Sequence, residues 1–289
     1  MKTIAYLGPP GTFSEEAALG WGGPEDQLLP LASIPAVVTA VETGAATFGV
    51  LPLENSLEGS VTTTLDLLIR ETSLRVSSEL VLPVRHMLAT RPGLQLHQVQ
   101  VLHAHPQALG QSRRFVERCL PGAATVAALS NSAALTDALS DSRPAAAITT
   151  RRAIELQSAA TLAHDIQDHP NNQTRFILLG AEDAAPTGQD RTSLCFAMPE
   201  NQAGSLLNAL QVLAQARINL TRLESRPAKE MLGDYIFLAD IEGHRLEPHV
   251  AAALQRLQEQ TTFFKVFGSY PRYRPPTPDA PARLSSSPS

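Results

Sequence analysis

From residue 3 to about residue 180 the chain alternates short aliphatic and β-branched runs with stretches whose apolar positions recur at mixed spacings of three and four. Runs at 3–7, 28–32, 47–51, 99–102, 124–129 and 145–149 predict strands, and segments such as 61–70 and 108–120 predict helices between them. Alternation of this kind signals an α/β architecture with a parallel sheet and crossover helices. Residues 74–89 hold no helical period of useful length, which predicts an extended crossing between two α/β groups, and 161–179 predicts the return crossing.

The rhythm changes after the polar stretch 181–191, where Pro186 and Gly188 mark a linker. Leu194, Phe196 and Met198 alternate as one face of a strand, and Leu206, Leu207, Leu210, Leu213 and Arg217 then step with helical spacing. Strand patterns at 219–224 and 235–241 follow. A helix with Val250, Leu254 and Leu257 on one stripe and a strand at 263–267 complete a βαββαβ order, the split arrangement of small ferredoxin-like domains. The tail 271–289 carries six of the chain's 22 prolines and ends in Ser-Ser-Ser-Pro-Ser, a composition that predicts disorder. The organisation expected is therefore a region 1–180 in two lobes (about 1–80 with 161–180, and 81–160), a linker 181–191, a domain 192–270 and the tail.

Composition narrows the function classes. At 289 residues, 43% hydrophobic and 18% charged, the chain can bury two cores and lies far from the disordered corner. A net charge of -5 with 5% aromatic residues supplies neither the basic field nor the stacking platforms of a nucleic-acid binder. Cys119 and Cys195 form no Cys-x-x-Cys pair, so neither a zinc nor a redox motif is present, and a reducing cytoplasm is the expected setting. No apolar stretch approaches 18 residues and the first apolar run is too short for a signal segment, which predicts neither export nor a membrane span.

Candidate chemistry gathers at strand ends. Gly8-Pro9-Pro10-Gly11-Thr12-Phe13-Ser14 is a Gly/Pro turn opening a helix, where Thr12 or Ser14 can cap and free N–H groups suit an anion. It lacks the lysine of a P-loop. Glu54-Asn55-Ser56 and Ser60 also follow a strand, so Asn55, Ser56 and Ser60 can donate to substrate oxygens, or can form an ordinary turn with Ser60 as cap. Asn172-Gln173-Thr174-Arg175-Phe176 offers a hydroxyl and a guanidinium fork for a carboxylate; a strand-entry turn explains the same residues. His103 and His105 alternate in a strand, but no third ligand stands at a metal-site spacing, and ordinary hydrogen bonding is the expected role. Gln107 and Gln111 share a helix face. In the C-terminal domain, Gly204-Ser205-Leu206 opens a helix with small residues, and Glu224-Ser225-Arg226-Pro227 ends a strand.

Taken in order, GPPGTFSEEAA, ENS, HPQAL, NQTRF and ESRP resemble the prephenate dehydratase family with its C-terminal ACT regulatory domain, over residues 3 to about 270. That resemblance implies a two-lobed catalytic domain like a periplasmic binding protein, with substrate in the cleft, and an α+β ferredoxin-like ACT domain. It implies a lyase that dehydrates and decarboxylates prephenate to phenylpyruvate without cofactor or metal, in L-phenylalanine biosynthesis, as a homodimer or homotetramer. Thr174 matches the family's catalytic threonine, with Arg175 and Phe176 completing its motif. Thr12, Phe13, Ser14, Asn55, Ser56 and Gln111 match cleft positions, with Glu54, His105 and Gln107 beside them. Gly204, Ser205 and Leu206 would face one side of a phenylalanine effector, and Glu224, Ser225, Arg226 and Pro227 the side supplied by a second subunit. With no chorismate mutase segment ahead of Met1, the monofunctional type is expected. Three positions depart from the family's habit: Ala104 stands where serine is frequent, Ser112 where cysteine is, and Ser205 where alanine is. The alternatives are an arogenate dehydratase and, from another class, a non-catalytic small-molecule sensor, since fold does not fix function.

Overall fold

The computed structural model describes residues 1–199, 202–228 and 235–274. Residues 275–289 of the predicted tail lie outside the described residues. The chain divides into two compact units, Met1–Val61 with Val81–Phe176, and Thr62–Leu80 with Ile177–Ser289.

The chain opens with β1 (Thr3–Leu7), α1 (Phe13–Trp21), β2 (Gln27–Leu31), α2 (Ile34–Glu42), β3 (Phe48–Asn55) and the short β4 (Gly59–Ser60). Then come α3 (Thr62–Asp66), which runs on as a π-helical turn, and β5 (Arg75–Pro83). The first sheet has the order β2-β1-β3 and continues through β11 (Gln173–Gly180) to β5, with β1 parallel to both neighbours. Its helices start where a hydroxyl can take up an orphan N–H: Thr12 accepts from Glu15 N and Ser33 from Ala36 N. Such caps contribute about 1 kcal/mol each.

The second sheet uses β6 (Met87–Thr90), β7 (Val101–Ala104), β8 (Ala124–Ala127), β9 (Ala145–Thr149) and β10 (Ala160–Ala163) in the order β10-β6-β9-β7-β8. It is mixed rather than parallel: β6 runs antiparallel to β9 and β10 because it enters from the other sheet. Strand alternation sorts its side chains onto two helix-covered faces. Leu88, Leu102, Ala104, Ala146 and Ile148 pack on one, and Ala89, Val101, Ala145 and Ala147 on the other. Helices α6 (Asn131–Ser140) and α7 (Arg151–Gln157) carry serine and threonine caps.

The single helix expected over 108–120 is two, α4 (Pro106–Gln111) and α5 (Arg113–Cys119), broken at Ser112 with φ -122°. Its cause lies in the return crossing. Asp168 N–H donates to the Gln111 carbonyl at 2.7 Å, and the Asp168 carboxylate accepts from Arg114 N–H at 3.1 Å, replacing the helical bonds. Ser60, a candidate helix cap in the sequence, instead pairs with Glu54 across β3 and β4.

In the second unit, β12 (Asp190–Ala197), α8 (Ser205–Gln215), β13 (Leu220–Pro227), β14 (Tyr235–Glu242), α9 (Pro248–Glu259) and β15 (Phe263–Pro271) give the βαββαβ order in an antiparallel sheet β13-β14-β12-β15. Ala209, Val212 and Leu213 of α8 and Val250, Ala253, Leu254 and Leu257 of α9 sit at spacings of three and four and bury onto Leu194, Phe196 and Ile241. Leu207, placed in the apolar stripe by its sequence, is 58% exposed on the other side of α8. Strand β12 begins at Asp190, inside the expected linker, and β15 continues to Pro271, past the predicted end at 267 and onto the first residue of the predicted tail.

Residues 62–80 group with this unit, although β5, which begins within them, is hydrogen-bonded in the first sheet. Arg191 Nη1 meets the buried carboxylate of Glu79 at 2.6 Å, and Tyr273 N–H donates to the same carboxylate at 2.8 Å. Lys265 Nζ donates to the Thr72 carbonyl at 2.7 Å. The sequence could not show this because the partners are more than a hundred residues away. At Gly268 the two segments touch so closely that a Cβ would lie 2.8 Å from Val76 N and nearer still to Val76 O. Gly268→Ala is therefore expected to destabilise by about 1–3 kcal/mol or more, as overpacking does, read as a lowered Tm with unchanged secondary structure by circular dichroism.

Candidate active site

The first unit's chemistry is organised where the chain leaves the first sheet and where it returns. Between β5 and β6 lies His86, and between β10 and β11 lie Ile166, Gln167 and Asn172. The two crossings are stitched together: His86 N–H donates to Gln167 Oε1 at 3.0 Å, Ile166 N–H to the His86 carbonyl at 3.0 Å, and Val84 N–H to the Asn172 carbonyl at 2.8 Å.

The ENS segment closes onto the second crossing. Asn55 Oδ1 accepts from the backbone N–H groups of Leu57 and Glu58 at 2.9 and 3.1 Å. Those donors are fixed, so the amide nitrogen must face the other way. There Asn55 Nδ2 spreads its two hydrogens over Asn172 Oδ1 at 2.8 Å, Thr174 Oγ1 at 2.9 Å and the Gln173 carbonyl at 3.1 Å. Ser56 bridges the same strands, donating to the Asn171 carbonyl and accepting from Gln173 N–H. It zips the turn shut.

Orientation then passes from group to group. Asn172 Oδ1 accepts from Asn55, so its Nδ2 donates onward to Gln111 Oε1 at 2.9 Å. Gln111 Nε2 in turn donates to Glu58 Oε1 at 3.2 Å, and Gln111 Oε1 also faces His86 Nε2 at 3.0 Å. Gln111 and Asn172 are buried, and Thr174 is half-buried at the open end of the chain. Because Thr174 Oγ1 accepts from Asn55, its own hydrogen is left to point elsewhere.

Alternation along β3 and β11 separates two groups of side chains. Asn55 and Thr174 share one face. Glu54 and Arg175, each one residue along, meet on the other, with Arg175 Nη1 3.5 Å from Glu54 Oε1 and Arg175 only 6% exposed. The guanidinium fork read in the sequence is thus turned to Glu54, away from the face of Thr174. Phe176, grouped with Thr174 and Arg175 by its motif, is 2% exposed and packs in the core.

The Gly/Pro turn is held by buried partners. Gly11 N–H donates to Glu15 Oε2 at 2.5 Å, and Glu15 Oε1 pairs with Arg152 at 3.2 Å. The carbonyls of Pro10 and Gly11 accept from Ser132 and Thr150, both at 2.6 Å. Gly11 has φ +86°, and a Cβ there would lie 2.7 Å from Ser132 Oγ, so only glycine fits. Thr12 spends its hydroxyl on capping. Phe13 lies edge-on to His86, with centroids 6.0 Å apart, and Ser14 is buried in α1.

His105 caps α4, its Nδ1 accepting from Gln107 N–H at 3.3 Å; the Gln107 side chain is exposed. His103 instead faces Asp141 at 3.0 Å, whose carboxyl the Arg143 guanidinium holds well below the usual carboxylate range. The two histidines thus serve different partners, and among the described residues no cluster of three His, Cys, Asp or Glu is placed to hold a metal. Ala104 packs within the apolar core. Both cysteines are free, and burial pushes the Cys195 thiol up to about 12. No helix among the described residues is long and apolar enough to cross a membrane.

In the second unit, Gly204 takes a left-handed φ of +92° and opens α8, and Ser205 and Leu206 line a cavity of about 620 Å³ together with Ile69, Arg70, Phe237 and Phe263. Glu224, Ser225, Arg226 and Pro227 do not line that cavity, although the next residue, Ala228, does. Glu224 pairs with Arg222 at 2.6 Å, Arg226 reaches Asp66 at 3.7 Å, and Ser225 and Pro227 lie opposite Phe237 and Tyr235 in the ladder.

Three members of the polar chain, His86, Asn172 and Glu58, were absent from the sequence-derived candidates. Asn172 was within reach of that reading, as the first residue of NQTRF. His86 lay in a segment read only as extended, with no motif around it.

The family model for prephenate dehydratase matches residues 4–184. A prephenate dehydratase of Mycolicibacterium vanbaalenii is 40% identical over 94% of this chain and 91% of its own length. The prephenate dehydratase of Arthrobacter aurescens, solved in complex with L-Phe, superposes with a TM-score of 0.86 at 35% identity, covering 93% of this chain and 90% of that one. GqqA, described as a novel type of quorum quenching acylase, superposes at 0.84 with 31% identity, covering 94% and 98%.

Burial lowers the pKa of His86 from its ordinary 6.5. A depressed histidine pKa means that the unfolded chain takes up a proton first as pH falls. The stability carried by the neutral ring is therefore whole above pH 6.5 and is lost as pH drops through the lowered value. His86→Gln, which cannot titrate, should flatten the decline of Tm between about pH 7 and pH 5, measured by thermal scans across that range.

Proposed function

The chain belongs to the prephenate dehydratase family and converts prephenate to phenylpyruvate; from that premise we propose that the hydroxyl of Thr174 donates the hydrogen bond that carries the leaving oxygen away. In the reaction the carbon–carbon bond to the ring carboxylate breaks, and its electron pair enters the ring. The carbon–oxygen bond opposite breaks with its pair going to oxygen. Carbon dioxide departs, and the released hydroxide takes up one proton to become water. Gain of the aromatic ring drives the step, so the protein's task is to orient a dianion and to stabilise negative charge as it builds on one oxygen.

The observation that carries this reading is the bond from Asn55 Nδ2 to Thr174 Oγ1 at 2.9 Å. It fills a lone pair of the hydroxyl and turns the hydrogen outward, making Thr174 a donor without asking it to be an acid. A hydroxyl acting as an acyl-transfer nucleophile needs a base to take its proton; Thr174 faces an amide instead. The N–H groups of Phe13 and Ser14 at the start of α1 are our candidates for one substrate carboxylate. Gln107 and His105 are candidates at the rim. Arg175 serves by fixing Glu54 on the face away from Thr174 rather than by clamping substrate, and the proton that completes water is taken from solvent.

Regulation by L-phenylalanine is part of the same proposal. The cavity beside Ser205 and Leu206 has an apolar lining of Phe237, Phe263 and Ile69 suited to a benzyl side chain, and backbone at Gly204 open to close approach. Glu224, Ser225, Arg226 and Pro227, none of which lines that cavity within one chain, would act on a neighbouring copy in a homodimer or homotetramer. A reducing cytoplasm suits the two free cysteines.

Two experiments test these assignments. Thr174→Val should lower kcat on the order of a hundredfold or more with little change in KM, the cost of removing a transition-state donor. Asn55→Asp should be as severe, because a carboxylate would draw the Thr174 hydrogen to itself; full turnover in either purified variant would contradict the assignment. Ser205→Trp fills the cavity and should weaken the response of turnover to L-phenylalanine at least about tenfold, equivalent to about 1.4 kcal/mol, as followed by inhibition curves and calorimetric titration.

A further inference from the structure

We propose that His86 is a positioning residue for the dehydration: its Nε2–H closes the far end of the amide chain that Asn55 directs, holding Gln111 and Asn172 in place behind Asn55 and so keeping the Asn55–Thr174 bond in register. This inference rests on the reading of Thr174 given above. His86 belongs to none of the sequence motifs and lies at the end of the polar chain opposite the threonine.

Direction in this chain follows from groups that cannot turn. The backbone N–H groups of Leu57 and Glu58 fix Asn55 Oδ1, and the Gln173 carbonyl fixes Asn55 Nδ2. Asn55 then dictates Asn172, and Asn172 dictates that Gln111 turn Oε1 toward His86. Only the tautomer with hydrogen on Nε2 can meet that oxygen at 3.0 Å. The other ring nitrogen, Nδ1, is buried without a partner among the described residues, so a second N–H there would be stranded. Ring neutrality thus follows from geometry, and burial acts in the same direction.

The ring itself is clamped. Its own backbone is tied on both sides to Gln167 and Ile166, Phe13 lies against its edge, and the residue is 2% exposed. A rigid donor of this kind adds to the hold that Asn172 and Glu58 have on the Gln111 amide. If Gln111 did rotate, its Nε2 would confront Asn172 Nδ2, and the misfit would pass along the chain to Asn55 and Thr174. Losing His86 should therefore spoil the aim of the hydroxyl and leave substrate contacts in place, an effect on kcat rather than on KM.

The test measures phenylpyruvate formation by the full-length enzyme. His86→Leu should lower kcat by about 10–100-fold, the range expected for misplacing a catalytic group from a distance, with KM within about threefold. His86→Gln, whose terminal amide nitrogen occupies the place of Nε2, should recover turnover to within about fivefold of the parent enzyme. In the Thr174→Val background, His86→Leu should add less than about threefold, because both changes remove the same donor. A folded His86→Leu enzyme within about twofold of the parent kcat would overturn the proposal. So would a His86→Gln enzyme no better than the leucine variant, or effects that multiply fully in the double variant. Should His86→Leu fail to fold, His86→Asn, with its amide near Nδ1 instead, carries the same arm. Thr174→Val alone distinguishes the two readings: full activity there removes the threonine assignment, whereas an impaired threonine variant with fully multiplying effects removes only His86.

Discussion

The backbone N–H groups of Leu57 and Glu58 pin one side-chain oxygen, Asn55 Oδ1, and much of the site depends on that constraint. An amide can be turned end for end at little cost in shape, so a chain of amides has no inherent direction. Fixing one end by main-chain donors gives it one. From Asn55 the direction runs to Thr174 on one side and through Asn172 to Gln111, Glu58 and His86 on the other. Buried polar chains are costly when half satisfied and rigid when complete. This one ends in a hydroxyl whose acceptor role is filled, which is what makes its donor role available.

Residue spacing and turn chemistry made part of this legible. The caps at Thr12 and Ser33, the stripes of α8 and α9, and the βαββαβ order all rest on local rules that a sequence displays. Of the five ordered motifs, ENS and NQTRF hold the strand ends where the polar chain forms, and ESRP lies in the second unit. What stayed hidden was set by partners far away in the chain. Asp168 breaks the helix at Ser112 by taking the bonds that helix would have made, and no periodicity within 108–120 can announce it. His86 meets Gln111 across 25 positions and Asn172 meets Gln111 across 61. The opposite faces of Thr174 and Arg175, neighbours in a strand, do follow from the period of two that the sequence displays.

The second unit shows the same balance between local and distant information. Helix periodicity identified its fold, but the segment 62–80 joined it through charged side chains of β12, β13 and β15 reaching back along the chain. Glu79 is buried and accepts from both Arg191 and Tyr273, so its charge is met at each oxygen. Removing one partner of such a pair costs far more than the pair contributes, because the remaining charge stays buried. The arrangement therefore defines which segment belongs with this sheet more sharply than apolar packing alone would.

The division of charge across the first sheet fits the role proposed for Thr174. A substrate with two carboxylates that releases hydroxide gathers negative charge at the point where bonds break, and an ionised acid next to the leaving oxygen would oppose it. Strand alternation supplies the separation at no structural expense. Glu54 is held with Arg175 on one face of the strand pair, while the face of Thr174 carries amides, which can be oriented by hydrogen bonds without adding charge. Glu58 is the carboxylate that touches this network, and it does so beyond Gln111, two amides removed from Asn55. A neutral imidazole at the far end completes the same logic, because it supplies a directed donor where a charged ring would leave a buried N–H without an acceptor.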